Sequence, residues 1–257
     1  MLQPRPAQNR CTKKLVDVQC WSVRLDVPPE TFPSLAATLS ADERERSDRL
    51  HFERVRRRFV VAHGVLRSLL GRSLGTDPGQ IRFVRNAFGK PELHPDFGGN
   101  LRFNLSHSGD LALIAIARDA DIGVDVERIE RRGASNHADV ARSFFSAPEV
   151  DALSRVPTHL YAQAFFNCWT MKEAYVKACG EGLSIPLTSF TVPIATDAAP
   201  VPVCCGSWSL VSFQPAAGYV GALAVSGTLS NGVYSGQEVD VYAARPTAYA
   251  HTRRSTD

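Results

Sequence analysis

The spacing of apolar and polar positions changes period several times along the chain, and each change predicts an element. Residues 16–27 alternate loosely and read as a strand, stopped by Pro28 and Pro29. Ser40 with Glu43 three positions on predicts a helix start, since hydroxyl and carboxylate can satisfy each other's orphan backbone N–H groups. Residues 42–58 are dense in charge, and 59–70 then place apolar residues at helical intervals up to Gly71. Residues 75–79 read as a loop. Short apolar runs at 81–84, 101–105, 111–117 and 122–129 predict strands, with turns at 89–91 and 106–109 and a polar connection over 130–139.

The pattern then starts again. Ser146 and Glu149 repeat the spacing of Ser40 and Glu43, and a second long helix ends at Gly180 as the first ends at Gly71. Strand-like pieces follow at 189–192, 208–213 and 219–225. This echo predicts two related halves, 14–118 and 119–244, flanked by polar tails 1–13 and 245–257 expected to be flexible. Helices mixed with hairpin-spaced strands favour an α+β fold over a doubly wound parallel sheet.

Composition narrows the class without naming a function. With 44% hydrophobic and 21% charged residues, the 257-residue chain is of ordinary globular type and long enough to bury a core. No apolar run is long enough to span a bilayer, and the N-terminus has no apolar signal core. The six cysteines show neither CxxC nor ligand-like spacing, so reduced thiols in a cytoplasm are the expectation. A formal charge of +3 is too small to argue for nucleic acid.

Candidate chemistry lies in four places. On the helix that ends at Gly180, Trp169, Glu173 and Lys177 are four apart and share a face; alone, that is an ordinary surface ion pair. In the strand Gly123-Val-Asp-Val-Glu127, Asp125 and Glu127 point to one side and Val124 and Val126 to the other. Neighbouring like charges repel unless a cation or donor lies between them, and a solvated strand face is the plain alternative. If the helix packs on this strand, Asp125, Glu127 and Glu173 converge, and an all-oxygen ligand set suits Mg²⁺ completed by phosphate and water. Lys90, in a turn shaped by Gly89 and Pro91, and Ser106 with His107 are phosphate-seeking types, each also accountable as loop polarity. The seven arginines of residues 44–58 are mostly accounted for by a solvated helix face. No Asp or Glu lies close enough in sequence to Ser106 and His107 to argue for a triad.

Taken together, Gly89-Lys-Pro-Glu-Leu93, Phe103-Asn-Leu-Ser-His-Ser108, Gly123-Val-Asp-Val-Glu127, Phe144-Phe-Ser146 and Trp169-Thr-Met-Lys-Glu-Ala-Tyr-Val-Lys177 with Gly180-Glu-Gly-Leu183 resemble the 4′-phosphopantetheinyl transferase superfamily, surfactin-type class. The motifs keep the family's order over about residues 40–225. The resemblance implies a pseudo-twofold monomer of two similar α+β halves with the active site between them. It implies transfer of phosphopantetheine from coenzyme A to a carrier-protein serine, with release of adenosine 3′,5′-bisphosphate. Asp125, Glu127 and Glu173 would then bind Mg²⁺, or Mn²⁺ in its place. Glu173 would act as general base and Lys177 would meet the diphosphate. Ser106 and His107 would take a phosphate, Lys90 and Pro91 the adenine side, with Arg85, Arg46, Arg54 and Arg58 as further phosphate ligands. The chain departs from the pattern at Glu43, where the best-known member carries a basic residue. The expected partners are acyl or peptidyl carriers of polyketide or nonribosomal peptide synthases, with no nucleic acid and no membrane. Two other readings fit the same residues: a Mg²⁺-dependent enzyme that cleaves phosphodiesters with water, and a non-catalytic module that binds coenzyme A or a carrier.

Overall fold

The structure is a computed structural model and describes residues 15–129, 134–196, 203–229 and 237–238. The tails expected at 1–13 and 245–257 lie outside the described residues. The elements run β1 (Leu15–Val16), β2 (Val18–Arg24), α1 (Phe32–Ala37), α2 (Ala41–Asp48), α3 (Glu53–Leu74), β3 (Phe83–Arg85), β4 (Pro91–Leu93), β5 (Leu101–Ser108), β6 (Leu111–Arg118) and β7 (Ile122–Arg128). They continue with α4 (Ala134–Phe144), α5 (Ala147–Ser154), α6 (Thr158–Cys179), β8 (Val203–Cys205), β9 (Trp208–Phe213), β10 (Tyr219–Ser226) and β11 (Thr228–Leu229). The chain is α+β, as the spacing predicts, and its described residues divide into two compact units, one formed by those up to 22 and from 84 to 237, the other by 23–83 with 238.

In the smaller unit, α2 opens on the predicted capping box: Ser40 Oγ accepts from the Glu43 N–H at 3.2 Å and Glu43 Oε2 from the Ser40 N–H at 2.9 Å. The same Glu43 carboxylate receives the Arg67 Nε at 2.6 Å, and the buried Arg67 guanidinium also donates to the Pro78 and Ile81 carbonyls. Glu43 is therefore a structural partner here, which accounts for an acid where the resemblance leads one to expect a base. The long helix ends four residues later than expected, with Gly75 at φ 65° as its left-handed cap. Gly71 is inside the helix and is small for another reason: a Cβ there would lie 2.7 Å from the Thr76 carbonyl oxygen.

Two sheets, one in the order β12 (Gln237–Glu238), β2, β6, β5 with β5 and β6 antiparallel, the other the antiparallel β7–β10–β9–β8, enclose an apolar core between them. Alternation sorts the faces. Ile122, Val124 and Val126 of β7, with Leu223 and Val225 of β10, point into that core. Val220, Ala222 and Ala224 point to the opposite side, where α6 packs with Ala164, Phe165, Cys168, Met171, Ala174 and Ala178. Helix and strand approach so closely at Gly123 that a Cβ would sit 2.1 Å from the Ala174 carbonyl oxygen. The helix stops at Gly180, φ 74°, as the sequence predicts.

Three expectations are corrected. The polar Ser106-His-Ser108 is not a turn but the end of strand β5, and Gly109, φ 58°, with Asp110 makes the turn. Part of the supposed connection 130–139 is α4. Residues 189–192 form no strand: Ser189 ends a 3₁₀ turn over Leu187–Ser189, and 190–192 run as irregular chain beside α6.

Candidate active site

Edge strands β5 and β7 belong to different sheets, and side chains rather than a backbone ladder join them. Every second residue of β5 reaches across: Asn104 Oδ1 accepts from the Val124 N–H at 2.9 Å, the Ser106 hydroxyl donates to Asp125 Oδ1 at 2.9 Å, and the Ser108 hydroxyl donates to Glu127 Oε2 at 2.8 Å. These partners explain why a serine-rich run continues as strand: each hydroxyl meets a carboxylate and not its own backbone.

From the other side comes α6. Lys177 Nζ lies 2.5 Å from Asp125 Oδ1 and donates to Ser106 Oγ at 3.0 Å, closing a triangle of lysine, aspartate and serine. Asp125 is only 3% exposed, and its second oxygen, Oδ2, is buried with no hydrogen-bond partner. A buried acceptor left so costs about 1–3 kcal/mol. Burial pushes the Glu127 carboxyl up from its usual value, against the pull of the Ser108 hydrogen bond, and the charges of Asp125 and Glu173 add to the rise. Burial likewise raises Glu173, with Lys177 opposing it and Asp125 assisting. The three acids and Lys177 thus share one electrostatic neighbourhood. Among the described residues no three His, Cys, Asp or Glu side chains are close enough together to hold an ion by themselves. In this state the Lys177 ammonium supplies the positive charge that faces Asp125.

Glu173 and Lys177 line a cavity of about 350 Å³ together with Lys90, Pro91, Leu105, Val176 and Leu187. Its rim carries Phe88, an aromatic ring 56% exposed. Lys90 lines this cavity, yet its ammonium donates to the Ile122 and Ala178 carbonyls, both at 3.1 Å, and burial lowers its pKa. Asn86 holds the same turn: its amide donates to the Gly180 carbonyl at 2.9 Å and its Oδ1 accepts from the Phe88 and Lys90 N–H groups. Asn86 carried no sequence signal beyond standing ahead of a Gly-Lys-Pro turn. Arg85 spends one guanidinium nitrogen on the Gly89 carbonyl at 2.7 Å. His107 is exposed and alternates away from Ser106 on β5. Arg46, Arg54 and Arg58 belong to the smaller unit, where Arg46 lies over the Phe59 ring at 5.3 Å.

Another buried ion pair escaped sequence reasoning. Lys172, next to Glu173, is 0% exposed and lies 2.8 Å from Glu149 Oε2. Its only sequence signal was Glu149 in the position of a capping glutamate, and nothing in the spacing linked the two.

Residues 121–224 match the 4′-phosphopantetheinyl transferase superfamily, and residues 26–119 match the family described as 4′-phosphopantetheinyl transferase, N-terminal. The chain is 40% identical over 218 residues to the 4′-phosphopantetheinyl transferase HetI of Nostoc sp., covering 82% of this chain and 88% of that one. It is 31% identical over 182 residues to the 4′-phosphopantetheinyl transferase ffp of Bacillus subtilis, covering 70% and 78%. With Sfp of Bacillus subtilis strain 168 it shares 31% over 159 residues, covering 62% and 68%. The chain belongs to the 4′-phosphopantetheinyl transferase superfamily and is a transferase. No helix among the described residues is long and apolar enough to cross a membrane, and Cys20, Cys168, Cys179, Cys204 and Cys205 are free thiols.

Proposed function

We propose that the protein transfers the 4′-phosphopantetheine of coenzyme A to a serine of an apo carrier protein, with Mg²⁺ or Mn²⁺, and releases adenosine 3′,5′-bisphosphate. In this reading it works as a cytoplasmic monomer on carriers of polyketide or nonribosomal peptide synthases. The observation that carries the reading is the buried, unpartnered Oδ2 of Asp125 beside Lys177, Ser106 and the Glu173 cavity.

A spare carboxylate oxygen in an all-oxygen set fits a hard cation, and among the described residues too few acids are gathered to cage it, so substrate phosphate and water would complete the shell. Asp125, Glu127 and Glu173 would hold the ion. When bound it neutralises charge on the diphosphate. Glu173, its carboxyl raised by burial, takes the proton of the carrier serine directly or through a water. The serine oxygen forms a bond to the phosphorus that bears pantetheine. The bond from that phosphorus to the bridging oxygen breaks, and its electron pair leaves on adenosine 3′,5′-bisphosphate. Lys177, half-buried and ahead of the αL cap of α6, donates a hydrogen bond to the departing oxygen. Ser106 keeps Lys177 and Asp125 in register. The turn 86–91, clamped on the end of α6 by Asn86 and Lys90, forms the adenine side with Pro91. Within the larger unit, the exposed Arg85 and His107 would meet the 3′-phosphate.

The test is mass spectrometry of a panel of apo carrier domains incubated with the enzyme, coenzyme A and Mg²⁺. A phosphopantetheine increment on the carrier serine is the expected result. Coenzyme A cleaved with no carrier labelled would replace this reading with hydrolysis, and neither event would leave a binding module.

A further inference from the structure

Residues 182–192 form one wall of the cavity through Ile185 and Leu187, yet no strand fixes them. Their own backbone bonds are short-range turns, such as Ile185 N–H to Gly182 O at 3.3 Å and Ser189 N–H to Pro186 O at 2.9 Å. What fixes the segment is a buried charge pair. The Lys172 ammonium spends its three donors on Glu149 Oε2 at 2.8 Å and on the carbonyls of Leu187 and Phe190, both at 2.7 Å. Glu149 completes the clamp by accepting from the Val192 N–H at 2.6 Å and the Ser146 N–H at 2.7 Å. The Phe190 ring lies under the same ammonium at 4.2 Å and against Tyr175 at 4.5 Å.

We propose that Lys172 and Glu149 are positioning residues for the transfer reaction: their pair fixes residues 187–192 to α6 and thereby sets the Ile185–Leu187 wall opposite Glu173 and Lys177. The proposal rests on the reading that this cavity takes coenzyme A. Lys172 and Glu173 are consecutive, so one turn of α6 presents one side chain to the wall segment and the next to the cavity. A shift of the wall and a shift of the general base are therefore mechanically linked. Nothing in the chemistry of transfer requires the pair itself, because neither residue lines the cavity.

The test separates positioning from mere stability. Lys172→Met and Glu149→Gln each strand a buried partner, whereas the double variant removes both charges and returns melting temperature toward wild type. With the double variant folded, the expected result is a KM for coenzyme A raised about tenfold or more, since displaced binding groups cost rate and affinity steeply. Faster proteolytic cleavage within 182–195 accompanies it. A purely structural role would lower the amount of active enzyme with KM unchanged, and that outcome overturns the proposal. Should the double variant not fold, Glu149→Gln decides on the same KM readout, because its amide oxygen still serves one backbone N–H. If wild-type enzyme labels no carrier, the transferase reading fails by itself, and calorimetric coenzyme A affinity of the same variants still decides the positioning claim.

Discussion

Helix α6 carries two lysine–carboxylate pairs five residues apart, and they are built to opposite ends. Lys172 and Glu149 are 0% and 1% exposed, with every donor of the lysine and both carboxylate oxygens engaged. Lys177 is 31% exposed and Asp125 4% at the side chain, and one oxygen of that aspartate has no partner. The first pair is saturated and can only hold. The second is unsaturated, so an incoming cation or donor gains a full interaction there without breaking one. Complete satisfaction marks a strut, and an unmet acceptor at the same depth marks a place where substrate chemistry can enter.

The sharpest way to break that comparison is at the unsaturated side. Glu173→Gln should lower the transfer rate about 10²–10⁴-fold while coenzyme A binding, read by calorimetry, is largely kept. Full activity in that variant would remove the general base. Asp125→Ala should shift the Mg²⁺ titration of activity to much higher concentration, and an unshifted titration would deny it a ligand role. At the saturated side the large effect is on folding: Glu149→Ala should cost about 3–5 kcal/mol in denaturant unfolding, because it leaves a buried ammonium alone. Gly123→Ala, between the two pairs, should cost about 1–3 kcal/mol or more through overpacking of α6 on β7. The smallest effect concerns Glu127. Burial raises its folded-state pKa above the unfolded value, so its ionised form is disfavoured in the fold. That penalty is absent below the usual carboxylate range and complete above the raised value. Glu127→Gln should therefore raise the melting temperature of the metal-free protein at neutral pH, with the gain fading as pH falls into the carboxylate range.

Much of the architecture could be read from the chain because it is local. The two-residue period placed Asp125 and Glu127 on one face, the four-residue period placed Glu173 and Lys177 on another, and Gly180 ended the helix. The parts that could not be read depend on partners distant in sequence. Ser106 and Ser108 look like turn residues until Asp125 and Glu127 are opposite them. Lys172 looks like helix decoration until Glu149 and two loop carbonyls surround it. Gly71 looks like a helix stop, but the constraint on it is the neighbouring Thr76 carbonyl, and the backbone reverses only at Gly75. Lys90 looks like an anion ligand, and the structure shows its ammonium capping the carboxyl end of α6.

The junction of β5 with β7 has a consequence for how this scaffold can vary. A backbone ladder is indifferent to side-chain identity, whereas here Asn104, Ser106 and Ser108 provide the stitching. A single substitution at any of them loosens one stitch and leaves both sheets whole. The spacing of the acids can thus be retuned in steps smaller than a strand register allows.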